Sequence, residues 1–386
     1  MSIDQPSAIE ILFTGDLCPQ YRIEEACRTG HSDDIYDGSL REVLREKDLS
    51  VTNLECPLTD YYHPIIKSGP TLRSSKKSIA ALTSGYFDIA ALANNHIMDQ
   101  GEQGLADTQQ LCEQAGITTM GAGNNLAEAS QVLYQDVRGQ TIAFINATEH
   151  EFCIAKEDRP GANPLNPVHN YYQVLEAKEK ADYVIVVVHG GNEHYPLPNP
   201  GMVDTYRYLA DLGVSAVVGH HSHFAGGYEV YRGVPIFYSL GNFLFDKKVK
   251  KLPYWYKGYL VKLRLTKEKV NFEVHPYTQC LDKAKVQLIE GKQKQSYLNT
   301  IADYCAIIQD RDLLLEHWNN FLSEKRNMYY AQLFGLNRLE RFLLKQNISK
   351  DFIVRRSKVP VKINLLRCQA HRRAVANLLE GDYKII

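Results

Sequence analysis

Residues 183–193 read YVIVVVHGGNE. Five β-branched residues in a row, Val184 to Val188, present no polar face, so the stretch suits a strand covered on both sides. Such strands belong to sheets with helices packed outside them. This one stops abruptly at His189, two glycines, Asn192 and Glu193.

The same pattern, an apolar strand with a polar tip, recurs along the chain. IEILFTG runs into Gly15 and Asp16, LSVTNL into Glu55, and FDIAALANN into Asn95 and His96, with Asp99 close behind. VSAVVGHH ends in Gly219-His220-His221-Ser222-His223, and QTIAFINAT and VPIFYSL add further strands. Helical spacing fills the gaps, as from Gly101 to Ala115 and from Asn199 to Leu212. GYLVKLRLTKEKVNFEVHPY alternates with period two around a Lys-Glu-Lys turn, the pattern of a hairpin.

Near residue 285 the pattern changes. Tyr297, Ile301, Tyr304 and Ile308, then Trp318, Phe321 and Leu322, then Leu336, Leu339, Phe342 and Leu343 recur at helical spacing. A looser basic stretch, VRRSKVPVK, precedes a last helix expected from about Ile363 to Leu379. The chain therefore divides into an α/β domain over residues 1–284 and a mostly helical appendage over residues 285–386.

The 386 residues carry 44 Lys and Arg against 45 Asp and Glu, a formal net charge of −1, which argues against a broad grip on nucleic acid. The opening MSIDQPSAIEILFTGD lacks the basic and apolar regions of a signal peptide, and no apolar run approaches a transmembrane length. Eight scattered cysteines without a CxxC pair read as reduced thiols. A cytoplasmic chain without a transmembrane segment is the expectation.

In open α/β sheets the ligand crevice lies beyond the carboxyl ends of the strands. Asp16, Glu55, Asn95, His189 and the histidines of GHHSH all sit at such ends. Carboxylate, amide oxygen and imidazole together suit Mn, Fe or Zn rather than Mg or Ca. One or two such ions, bridged by a carboxylate, clamp a tetrahedral centre and lower the pKa of water. Taken singly, each residue has a plainer reading: Asp16 as a turn or N-cap residue, Asn95-His96 as turn chemistry, His189 as a core histidine. Five coincident strand tips outweigh those readings taken together.

The strings FTGDLC, TNLECPLTD, ALANNHIMDQGEQGLADT, GAGNN, VHGGNEHYPLP and GHHSHFAGGYEVYRGVPIFYSLGNFLFD occur in this order over about residues 10–275. Through them the chain resembles the CapA family of capsule and poly-gamma-glutamate synthesis proteins, within the calcineurin-like metallophosphatase superfamily. The resemblance implies a four-layer αββα sandwich. It implies Asp16 and His223 on a first metal, Asn95, His189 and His221 on a second, and Glu55 bridging them. It also implies His96 as proton donor to the leaving group, with Asp99 orienting it.

Two positions depart from the superfamily pattern. Cys18 stands where Asp-x-His would place a histidine; packing is the plainer reading, metal ligation the alternative. Glu55 replaces the usual bridging Asp, and His220 leaves the frame of the His-x-His pair open by one residue. Beyond the cage, Arg73, Asn192 and Glu193 are candidates for substrate contact, although a solvated loop charge is the plainer reading for Arg73. Asn242 is expected in a tight turn near the site, and Tyr238 and Phe243 in the core. His150, His169 and His194 carry no placing argument.

The leading expectation is a metal-dependent hydrolase or transferase acting on phosphoesters or amides, with a small-molecule or polymer substrate. The first alternative is a non-catalytic assembly component of a polymer synthase, its appendage binding partner proteins or making a homo-oligomer. The second is amide-bond chemistry on an acidic substrate; no GxxxxGK[ST] loop accompanies it, which disfavours an ATP-driven ligase.

Overall fold

The structure, a computed structural model, describes residues 8–249, 252–346 and 356–383. By internal contacts the chain forms two compact units, residues 1–310 and 311–386.

The first unit is built on two sheets. In the first, the strand Ile9–Cys18 lies between Leu49–Leu54, parallel to it, and Lys257–Leu265, antiparallel. Ile89–Ala91 and Thr118–Met120 extend this sheet on one side; Val270–Gln279 and Val286–Leu288 extend it on the other. The second sheet runs in the order Tyr228–Tyr231, Val234–Phe237, Ala216–His220, Tyr183–His189, Gln140–Thr148, Leu133–Val137.

Side-chain alternation explains the layering. Ile11 and Phe13 join Ile185, Val187, Val218 and Phe237 in one core between the sheets. Leu12 and Leu17 instead join Leu40, Leu82 and Leu105 in a second core beneath the helices of the first sheet. On the outer face of the second sheet lie the helices Pro167–Lys180 and Pro200–Asp211, each started by an asparagine cap, Asn166 and Asn199. The result is helix, sheet, sheet, helix, the four-layer α/β arrangement expected. Tyr183–His189 is buried along its whole length, as its uninterrupted apolar run requires.

The hairpin of the sequence reading pairs Leu265 with Val270 and acquires a third strand, Val286–Leu288. Helical spacing is borne out by Gly291–Gln309, Arg311–Leu333 and Arg338–Lys345. The compact unit reaches past residue 284, however. The helix Gly291–Gln309 packs Tyr297, Ile301 and Cys305 into the core between the sheets, so its contacts tie it to the α/β unit.

The second unit holds the remaining helices. Asn337 and Glu340 form a reciprocal capping box at the start of Arg338–Lys345, and Leu344 packs with Ala331 and Leu336. The single terminal helix expected near residues 363–379 is two, Val359–Arg367 and Gln369–Tyr383, with Cys368 extended between them. Part of the basic stretch before them lies outside the described residues, as does the start of the chain.

Candidate metal centre

The polar tips meet. Asp16 lies opposite Asn53 in the register of the first sheet, and His220 opposite His189 in that of the second. Gly15 allows the close approach of strands at this point: a Cβ there would lie 1.9 Å from the Gly241 carbonyl oxygen, and that oxygen accepts from Asp16 N at 2.9 Å.

Two groups of potential ligands result: Asp16, Glu55 and His223, and Glu55, His189 and His221, the ligand atoms within each lying within 4.8 Å of one another. Glu55 belongs to both. Its Oε1 is 3.6 Å from His223 Nε2 and 3.8 Å from His189 Nε2. His223 Nδ1 is 3.5 Å from Asp16 Oδ2. Around His189 Nε2 lie Asn95 Oδ1 at 3.1 Å and His221 Nδ1 at 3.0 Å.

Electrostatics favour a cation here. Glu55 is wholly buried, and neither of its oxygens has a hydrogen-bond partner. Burial, reinforced by Asp16 beside it, pushes its carboxyl well above the usual range. Burial pushes Asp16 the same way, but contacts to His220 and His223 outweigh it and hold Asp16 well below the ordinary value. Burial, together with His221, pushes His189 well down, leaving a neutral imidazole suited to ligation. The donor-free Glu55 oxygens, the neutral imidazole of His189 and the Asn95 amide oxygen, with Asp16, His221 and His223 beside them, make a donor set that fits a divalent cation.

His96 Nδ1 donates to Asp99 Oδ2 at 2.5 Å, and Asp99 also accepts from Leu72 N and from Lys67 Nζ at 2.8 Å. Lys67 donates as well to the Asn95 carbonyl, so one buried ammonium ties His96 and Asp99 to Asn95. Burial lowers the His96 pKa against the pull of Asp99.

The other candidates fall as follows. Glu193 is at the exposed rim; the histidines His223, His221, His194 and His96 outweigh its partial burial and lower its pKa. Asn192 accepts from Asn199 Nδ2 at 3.1 Å, a contact to the cap of the next helix. Arg73 donates to the Thr59 carbonyl at 3.3 Å and lies over the Tyr62 ring, with no contact to the cage among the described residues. Cys18 is buried, and burial together with a hydrogen bond to Cys56 keeps its thiol protonated; it belongs to neither ligand group. His220 also lies in neither, its Nδ1 3.2 Å from Asp16 Oδ1. Asn242 accepts from His223 Nδ1 at 3.0 Å, and Tyr238 and Phe243 are core residues. The His194 ring lies 5.9 Å from those of His223 and Trp255, tilted against both.

Sequence reasoning passed over two residues. Glu151 accepts from Asn95 Nδ2 at 3.2 Å and lies 3.8 Å from His221 Nε2. It follows the strand Gln140–Thr148, so the rule of polar strand tips applied to it too. Lys67 lies in an irregular loop, where no periodicity marks it.

The chain is 34% identical over 241 residues to the PGA biosynthesis protein CapA of Bacillus subtilis, covering 61% of this chain and 63% of that protein. It is 34% identical over 182 residues to the capsule biosynthesis protein CapA of Bacillus anthracis, covering 46% and 44%. A probable polyglutamine synthesis accessory protein of Mycobacterium tuberculosis is 32% identical over 212 residues, covering 52% and 56%. The matches thus span less than two thirds of these relatives' own lengths. Among solved structures, a hypothetical protein from Thermus thermophilus covers 73% of this chain and 100% of its own at 16% identity and a TM-score of 0.44, too loose a likeness to argue from. Residues 10–247, well over half of the chain, match the model of one family, and the chain belongs to it: the bacterial capsule synthesis protein PGA_cap family.

Proposed function

We propose that this chain is a metal-dependent hydrolase or transferase, acting on a phosphoester or an amide in the synthesis of a capsule or other surface polymer. The observation that carries this reading is Glu55: a fully buried carboxylate with no hydrogen-bond donor, shared by two groups of ligands. A lone buried carboxylate of this kind is costly unless a cation compensates it.

Asp16, His223 and Glu55 would hold one ion; Glu55, Asn95, His189 and His221 would hold the other. Mn, Fe or Zn bound there supplies Lewis acidity toward a tetrahedral centre and lowers the pKa of water. Asp99 fixes the His96 ring through Nδ1, which leaves the other ring nitrogen to give a proton to the departing group. Lys67 holds Asp99 in place. Glu151 orients the Asn95 amide so that its oxygen faces His189.

Elemental analysis after growth with Mn, Fe and Zn, coupled to a panel of phosphoester and amide substrates, tests the reading, with His96→Ala and His221→Ala as controls. Metal bound in the wild type and lost in His221→Ala is the expected outcome; a metal-free wild type would sink it.

The printed name of the Mycobacterium relative, an accessory protein, favours a second reading, an assembly component of a polymer synthase. Polymer output that survives His96→Ala yet disappears when residues 311–386 are removed would decide for it.

A further inference from the structure

We propose that Lys247, with Lys248 beside it, is an anion-recognition site at the edge of the metal cage, taking a second carboxylate or phosphate group of the substrate. The inference rests on the hydrolase reading above and adds a substrate class to it.

The strand Asn242–Phe245 runs parallel to Ile9–Cys18, with Asn242 opposite Asp16 and Phe245 opposite Cys18. The chain beyond Phe245 therefore leaves the sheet at the end that carries Asp16. Lys247 Nζ lies 4.3 Å from the centroid of the Phe245 ring and 5.3 Å from that of Trp255. Those two rings also pack against His223, at 5.2 and 5.1 Å. The ammonium and the imidazole of the first metal position thus share one aromatic pair.

Ring faces hold an ammonium without neutralising it. Among the described residues no carboxylate lies within 4 Å of Lys247 or Lys248. Two acidic residues of the same region are already engaged: Arg22 forks Asp246 at 2.9 and 2.7 Å, and Arg28 pairs with Glu25. Lys248 Nζ rests over Tyr21 at 5.3 Å. A cavity of about 640 Å³ opens here, lined by both lysines and Arg22 and also by Glu25, Asp246 and Asp282.

The His221 side of the cage carries a negative group: Glu151 lies 3.8 Å from His221 Nε2. Glu193, at the rim, interacts most strongly with His223. A ligand whose reacting group enters the cage is therefore oriented with a further negative group away from Glu151 and toward Lys247, whose ammonium pairs with no carboxylate within 4 Å among the described residues. Free phosphate, a phosphate ester and a carboxylate share this chemistry.

Calorimetry on the metal-loaded full chain tests the inference with phosphonates that do not turn over. The probes are phenylphosphonate, 4-carbamoylphenylphosphonate, 4-carboxyphenylphosphonate and benzene-1,4-diphosphonate. The wild type is expected to bind one or both doubly anionic probes about ten-fold tighter than the first two, and which of them gains identifies carboxylate or phosphate as the preferred group. Lys247→Met should erase that preference, and Lys247→Arg should keep most of it, with metal content equal in all three proteins. A wild type that binds phenylphosphonate but shows no preference, or a preference that survives in Lys247→Met, overturns the anion site and leaves the hydrolase reading standing. Metal-loaded protein that binds none of the four overturns both.

Discussion

The side-chain nitrogen of Asn95 donates to Glu151 Oε2 at 3.2 Å, and this bond turns the amide oxygen toward His189 Nε2. An asparagine can ligate only through that oxygen, so Glu151 decides whether Asn95 is a ligand at all. Groups that orient a ligand typically cost 10–100-fold in metal affinity when removed. Glu151→Ala should lower the affinity of the second position by a factor in about that range and leave the first nearly unchanged. Stepwise metal titration with a competing chelator separates the two.

Glu55 should destabilise the metal-free chain at neutral pH. Its folded pKa is raised by burial and by Asp16, so its contribution is most favourable below the unfolded value and declines as pH rises through the folded one. Glu55→Gln should therefore stabilise the metal-free protein by about 1–3 kcal/mol at pH 8, with the gain shrinking toward pH 5. The same variant should lose the metal-induced stabilisation that the wild type acquires. Denaturant midpoints with and without chelator at the two pH values measure both effects.

Lys67 and Asp99 form an ion pair with both side chains buried. Removing one partner of such a pair leaves an uncompensated charge, at about 3–5 kcal/mol. Lys67→Met should lower stability by roughly that much, and Lys67→Arg by less. Urea unfolding monitored by far-UV circular dichroism checks the difference.

His96→Ala should reduce turnover by about 10²–10⁴-fold on esters with basic leaving groups, where a proton must be supplied. With 4-nitrophenolate leaving, the loss should be far smaller, since that group departs without protonation. Comparing the two substrate types in the wild type and His96→Ala distinguishes a proton donor from a residue that merely shapes the pocket.

Residues 1–310 should fold without the rest, because Tyr297, Ile301 and Cys305 complete the core between the sheets. Truncation after residue 284 should expose that core and lose about 1.5–3 kcal/mol for each large apolar side chain left bare. Thermal unfolding of the two truncated chains tests this: equal stability would mean that the helix Gly291–Gln309 contributes nothing to the α/β unit.

What the sequence by itself determined were the features that local pattern encodes. The all-apolar run at residues 184–188 requires cover on both faces, and the strand tips at Asp16, Glu55 and Asn95 share one edge, since parallel strands of one sheet finish on the same side. Only the tertiary structure decided which partners those tips meet. Glu151 orients Asn95 from a separate strand end, Lys67 reaches Asp99 from an irregular loop, and Lys247 lies against the rings that pack on His223. The same holds for the helix Gly291–Gln309, whose spacing marks an apolar face but not the sheet it will cover. Periodicity reports the direction a side chain takes from its own backbone; the atom it finds there is set by how distant segments pack.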